Sequence, residues 1–147
     1  MRTAPPSVPG VAAPEIASRL RLSATRLARR LRQESAAGLS PSQQSALAVI
    51  ANHGPLTLGA LAEHERVAPP SITKVVKNLE CQGLVSRTLD PADRRVCRVA
   101  ISEQGTALLE ESRRRKTAWL TARITELDPD RQRRLAEALD VLDELIS

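Results

Sequence analysis

Aromatic side chains are almost missing from this chain: of 147 residues none is Phe or Tyr, and Trp119 is the single Trp. Single-strand and RNA binders stack bases on aromatic rings, and here that grip has next to nothing to work with. Cysteine is scarce too. Cys81 and Cys97 stand sixteen positions apart with no CxxC spacing, which gives neither a disulfide framework nor a zinc site. His53 and His64 are eleven apart with only Glu63 and Glu65 near either. A metal needs three or four converging ligands, so both histidines read as exposed side chains and no metal is expected. No run approaches the ~18 apolar residues that span a bilayer, and the beginning of the chain lacks the apolar core of a signal peptide. A cytoplasmic location with no membrane partner is expected. There is no glycine-rich phosphate loop, no nucleophile elbow and no triad context for either histidine, so the chain is not read as an enzyme and no cofactor is expected.

What is present is positive charge concentrated in one place. The net charge is +5 and the pI about 10.2, which favours polyanionic partners without naming one. Residues 66–98 hold seven basic side chains (Arg66, Lys74, Lys77, Arg87, Arg94, Arg95 and Arg98) against three acids, Glu80, Asp90 and Asp93. From Ser102 onward eight basic residues face ten acidic ones, so the C-terminal part is not a generic polyanion-binding tail.

The basic region coincides with a two-part pattern. Ile72, Val75, Val76 and Leu79 recur at the spacing of one buried helical stripe. Pro70, Lys74, Lys77, Asn78 and Cys81 project away from it, with Ser71 and Thr73 at its flanks. Gly83 offers a left-handed stop. Two β-patterned runs follow, 84–89 and 96–101, joined by a loop over 90–95 that ends in two arginines. A basic helix beside a basic hairpin points to nucleic acid.

The rest of the chain is helical by pattern. Residues 1–13 carry three prolines and a glycine without periodicity and read as a disordered leader. Ile16, Leu20, Ala24, Leu27 and Leu31 then mark an amphipathic helix from near Pro14 to near Gly38, its arginines a solvated face. Ser40, Pro41 and Gln43 make a capping-box start for a second helix to about His53, which Gly54-Pro55 stops. Thr57 caps a short third helix over 58–65, with Leu58, Leu61 and Ala62 inward. A turn through Arg66, Val67 and Ala68 leads into the basic helix, so the two make a helix-turn-helix and the hairpin makes it winged. Ser102 caps a fifth helix to about Leu127, where Trp119 is expected to fill core or a dimer junction, and Asp128-Pro129 starts a sixth. The last helix has Leu135, Leu139, Leu142, Leu145 and Ile146 on one side, too much apolar surface for a solitary terminal helix.

These residues carry a resemblance. From about Leu20 to Leu109 the chain resembles the MarR family of bacterial winged-helix transcription regulators, through LARRLR with GLSPSQ, LTLGALAEHERVAPPSITKVVKNLECQGLVSR, and DPADRRVCRVAISEQG. The last run, an Asp-x-Arg wing followed by a strand and a Ser-x-x-Gly helix start, is the most specific. The resemblance implies a mainly α fold of six helices with a small β-hairpin wing. It implies an N-terminal dimerisation helix (14–38), a winged DNA-binding domain (39–101) and C-terminal dimerisation helices (102–147). Its partners would be double-stranded DNA bearing a pseudo-palindromic operator, a second copy of the chain, and a small-molecule effector, often an aromatic acid, or an oxidant, that releases a repressor from DNA.

Carried over residue by residue, the recognition helix is 69–82. Pro70, Ser71, Thr73, Lys74, Lys77 and Asn78 would face the major groove, Asn78 pairing with adenine and Lys74 or Lys77 reaching guanine or phosphate. Thr57 and Ser42 are further phosphate-contact candidates at helix N-termini. Arg95 would enter the minor groove with Asp93 holding its guanidinium, while Arg94 touches backbone. One departure is that Ala68, followed by Pro69-Pro70, stands where relatives often have a Ser or Asp cap. Blander readings stand beside these. Lys74 or Lys77 alone reads equally as a solvated charge, and Cys97 as core. Cys81 is the better candidate for a thiol redox switch, one alternative function on this scaffold, and a winged-helix protein-interaction module is the other.

Overall fold

The computed structural model describes residues 10–35 and 38–147. Most of the expected disordered leader, residues 1–9, lies outside them. The elements in chain order are α1 (Ala13–Glu34), α2 (Pro41–His53), β1 (Leu56–Thr57), α3 (Leu58–Glu65), α4 (Pro69–Cys81), β2 (Val85–Leu89), β3 (Cys97–Ile101), α5 (Glu103–Thr125) and α6 (Pro129–Ile146). Two compact units divide after Gln33: the described part of one is residues 10–33, nearly all of it α1, and everything from Glu34 onward belongs to the other.

The helix boundaries follow from capping chemistry. The Ser40 side chain accepts from the Gln43 amide while the Gln43 side chain accepts from the Ser40 amide, and Pro41 occupies the first turn, where no donor is needed. The side chains of Thr57, Ser102 and Asp128 cap α3, α5 and α6 by accepting from the amides of Ala60, Gly105 and Arg131. Ser40→Ala removes the hydroxyl that accepts from the Gln43 amide, while the backbone half of the box remains, and should lower the unfolding free energy by about 1 kcal/mol, measured by urea denaturation.

Several boundaries differ from the sequence pattern. α1 ends at Glu34 rather than near Gly38, α5 at Thr125 rather than Leu127, and the basic helix at Cys81 with Gln82 as its cap. Gly83 explains the last. At φ +73° it donates to the Glu80 carbonyl (2.9 Å) while Leu84 donates to Leu79 (3.0 Å), a paired closure that satisfies the helix's last carbonyls. Leu84 is thereby taken into the turn, so β2 begins at Val85. Val96 turns back to Asp93 and Asp90, so β3 begins at Cys97.

The sheet has a third strand that the pattern did not reveal. Order is β1-β3-β2, all antiparallel, with Leu56 opposite Val99, and Val85 and Leu89 opposite Ile101 and Cys97. A two-residue strand is too short to carry an alternation. The core lies where α2, α3, α4 and the sheet meet. Leu47, Ile50, Leu61, Ile72, Val76, Leu79 and Val99 are fully buried there, and Val75 and Ile101 pack against them half-buried. Trp119, expected in core or at a dimer junction, is not among them. It is half-buried on α5 with the Arg123 guanidinium 5.3 Å from its ring centre.

Candidate nucleic-acid interface

The α4 stripe anchors the helix so that its opposite face is open. Ile72, Val76 and Leu79 are buried, whereas Pro70, Ser71, Thr73, Lys74, Lys77 and Asn78 are all exposed. No side chain caps the helix at Ala68, as the sequence implied, and Pro69 and Pro70 occupy the first turn instead. Thr73 returns its hydroxyl proton to the Pro69 carbonyl (3.0 Å), which leaves its oxygen free to accept. The turn before α4 passes through Arg66 in the left-handed region (φ 53°). Ser42 is exposed in the first turn of α2. Thr57 is half-buried, its hydroxyl occupied by the Ala60 amide (3.1 Å) and its backbone paired in the sheet opposite Arg98.

At the wing tip Asp93 organises the loop. Its Oδ1 accepts from the Arg95 amide and from Arg95 Nε (3.1 Å each), and its Oδ2 accepts from Arg95 Nη2 (3.2 Å). The guanidinium is held by this two-point fork yet stays 91% exposed. The Arg95 fork, then the Arg95 amide, hold the Asp93 carboxyl below its ordinary value. A carboxylate whose acidity is raised by folding contributes above the ordinary range near 3.8 and loses that contribution only as pH falls through the lowered value. The fork therefore stands throughout the neutral range. Asp90 shapes the other end of the loop, accepting from the Ala92 amide (2.8 Å) and from Arg98 Nη2 (3.5 Å). The Ala92 bond leads in holding its carboxyl low.

One contact escaped the sequence reading. Glu80 on α4 accepts from Arg87 Nε on β2 at 2.8 Å and ties the basic helix to the hairpin. All three acids of the basic region are thus committed, each to one arginine. Arg66, Lys74, Lys77 and Arg94 have no ion-pair partner among the described residues. Cys81 is exposed at the end of α4 and Cys97 half-buried at the base of the wing.

A separate cavity of about 100 Å³ lies between α2 and α5. Leu39, Ala48, Leu108 and Leu109 form its apolar lining, and Gln44, Ser112, Arg113 and Lys116 its polar part. Glu111 accepts from both Arg114 and Arg115, whereas Arg113 and Lys116 are left without an acidic partner among the described residues.

A short helix, a tight turn, a helix with a polar outer face and an arginine-tipped hairpin define a winged helix-turn-helix protein. Residues 39–97 match the family described as MarR. An HTH-type transcriptional regulator of Mycobacterium leprae is 42% identical over 132 residues, covering 89% of this chain and 92% of that one. The structure of a MarR family protein from Bacillus stearothermophilus has TM-score 0.72 at 26% identity, over 90% of this chain and 93% of that one. The fold is shared also by Staphylococcus aureus MepR F27L, solved bound to an oligodeoxyribonucleotide, with TM-score 0.72 at 16% identity over 90% and 98% of the two chains. The chain belongs to the MarR family of helix-turn-helix transcriptional regulators.

Proposed function

We propose that this regulator binds a pseudo-palindromic operator as a homodimer and acts as a repressor that a small anion releases. The observation that carries the DNA reading is the forked, exposed Arg95 beside the open polar face of α4. In this reading α4 lies in the major groove, with Asn78 facing adenine and Lys74 and Lys77 facing guanine or phosphate. Arg95 enters the adjacent minor groove, and Arg94, Ser42 and Thr57 meet the backbone. The dimer rests on α6, where Leu139, Leu145 and Ile146 are 53%, 67% and 76% exposed, an apolar face that a second copy would cover. Two recognition helices about one helical turn apart would then occlude an operator. If each protomer neutralises four or five phosphates, log Kobs should fall with log salt at a slope on the order of −7 to −9. Selection from random duplexes should return an inverted repeat. No enrichment at low salt would overturn the reading.

Release is assigned to the cavity between α2 and α5. Its apolar lining and the uncommitted Arg113 and Lys116 suit a small carboxylate, and its volume suits the carboxylate with a few carbons. Trp119 lies one turn beyond Lys116 on α5. Titration with small carboxylic acids, from short aliphatic acids up to benzoate, should therefore change Trp119 emission and weaken operator binding. Both responses should be lost in Arg113→Ala/Lys116→Ala, while DNA affinity without the acid is kept.

A further inference from the structure

His53 and His64, far apart in the chain and unconnected by any motif, are brought face to face. Their ring centroids are 4.5 Å apart with the planes at 23°. His53 ends α2 and His64 lies in the last turn of α3, so the pair bridges the end of α2 and the end of the first helix of the helix-turn-helix. Both rings are exposed, and no ring nitrogen has a hydrogen-bond partner among the described residues. Glu63 lines the same shallow depression as His64 and adds negative charge there, whereas Glu65 is engaged by the Ser45 hydroxyl at 2.8 Å. Both imidazoles also sit at helix C-termini, where the carbonyl ends favour a cation.

We infer that His53 and His64 form a two-imidazole site for a borderline divalent cation such as Zn²⁺, completed by water. Imidazole nitrogens bind zinc at about 2.0–2.1 Å, so two neighbouring ligands need their nitrogens roughly 3 Å apart. Imidazole lone pairs lie in the ring planes, which are near-parallel here, so uptake of an ion requires both rings to turn out of the stack, and their exposure leaves them room to do so. Among the described residues no cluster of three or more His, Cys, Asp or Glu side chains could hold a metal, so the ion is exchangeable rather than structural. Its effect would be to clamp the end of α2 to the end of α3.

The test uses tag-free, full-length protein titrated with ZnCl₂ against a chromophoric chelator, with histidine side-chain NMR and thermal unfolding alongside. Expected are one ion per chain, joint movement of the His53 and His64 ring resonances, and a rise of roughly 2–4 °C in Tm at saturation. Each of His53→Gln and His64→Gln should abolish uptake, and Cys81→Ser should retain it. Circular dichroism should show both histidine variants folded, because the rings are exposed. No uptake, uptake that survives the histidine variants, or uptake lost with Cys81→Ser would overturn the assignment. DNA binding plays no part in these readouts.

Discussion

Gly105→Ala will lower the unfolding free energy by roughly 2–4 kcal/mol, although in an isolated helix the same change would stabilise by about 1 kcal/mol. Gly105 is buried in the first turn of α5, where the helix begins directly over the turn that closes α4. Ser102 donates its amide to the Leu84 carbonyl (3.0 Å) and its hydroxyl to the Gly83 carbonyl (2.6 Å), and its hydroxyl oxygen accepts from the Gly105 amide (3.0 Å). A Cβ on Gly105 would stand 2.2 Å from the Leu84 carbonyl oxygen and 2.7 Å from Ile101 Cγ1. The first is backbone already engaged by Ser102, so it cannot turn aside, and α5 must lift off the base of the wing. The loss corresponds to a Tm drop on the order of 10 °C. Gly59 is the control: a Cβ there meets nothing nearer than the Thr57 hydroxyl at 3.9 Å, so Gly59→Ala should be neutral or slightly stabilising. Equal Tm values for the two variants would show that the α5–wing junction does not need close backbone approach.

That junction also explains what the sequence could convey. Ser102 and Gly105 were legible as a helix start because a cap and a glycine at fixed spacing act locally, within one turn. The partners that make the glycine necessary, Leu84 and Ile101, come from a turn and a strand whose positions depend on the tertiary fold. The same division runs through the molecule. The stripe of α4, the capping box of α2 and the stop at Gly83 are one-turn events, and the structure follows the sequence reading at each. β1 was invisible because two residues carry no periodicity.

At the candidate interface, neighbours in sequence were easier to read than neighbours in space. Asp93 and Arg95 sit two residues apart, within reach of one turn, and the expected fork is present. Glu80 and Arg87 meet only because the hairpin folds back onto α4, and no pattern joins them. The His53–His64 stack likewise exists only after α2 and α3 pack. The cavity residues were out of reach for the same reason: Leu39 and Gln44 meet Leu108 to Lys116 across more than sixty intervening positions.

Arg95→Ala should weaken operator binding by about 30- to 1000-fold while leaving stability within about 0.5 kcal/mol of the parent. The side chain is 91% exposed and supports nothing in the core, so the fold is indifferent to it. Its value to DNA is different. A guanidinium in a narrow minor groove is worth about 1–2 kcal/mol, and a dimer with two distant wings loses it twice, nearly additively. Asp93→Asn separates two accounts of the carboxylate. If Asp93 were only a negative charge near phosphates, neutralising it would tighten binding and steepen the salt slope. If it is a splint, the untethered arginine must be ordered at the moment of binding, which costs up to about 2 kcal/mol in rotamer freedom for a long side chain. Asp93→Asn should then weaken binding, by less than Arg95→Ala, and the double variant should be no worse than Arg95→Ala alone. The preference for A·T pairs at the outer operator positions should fade in both single variants. Tighter binding by Asp93→Asn would assign the fork to holding the loop rather than to presenting the arginine.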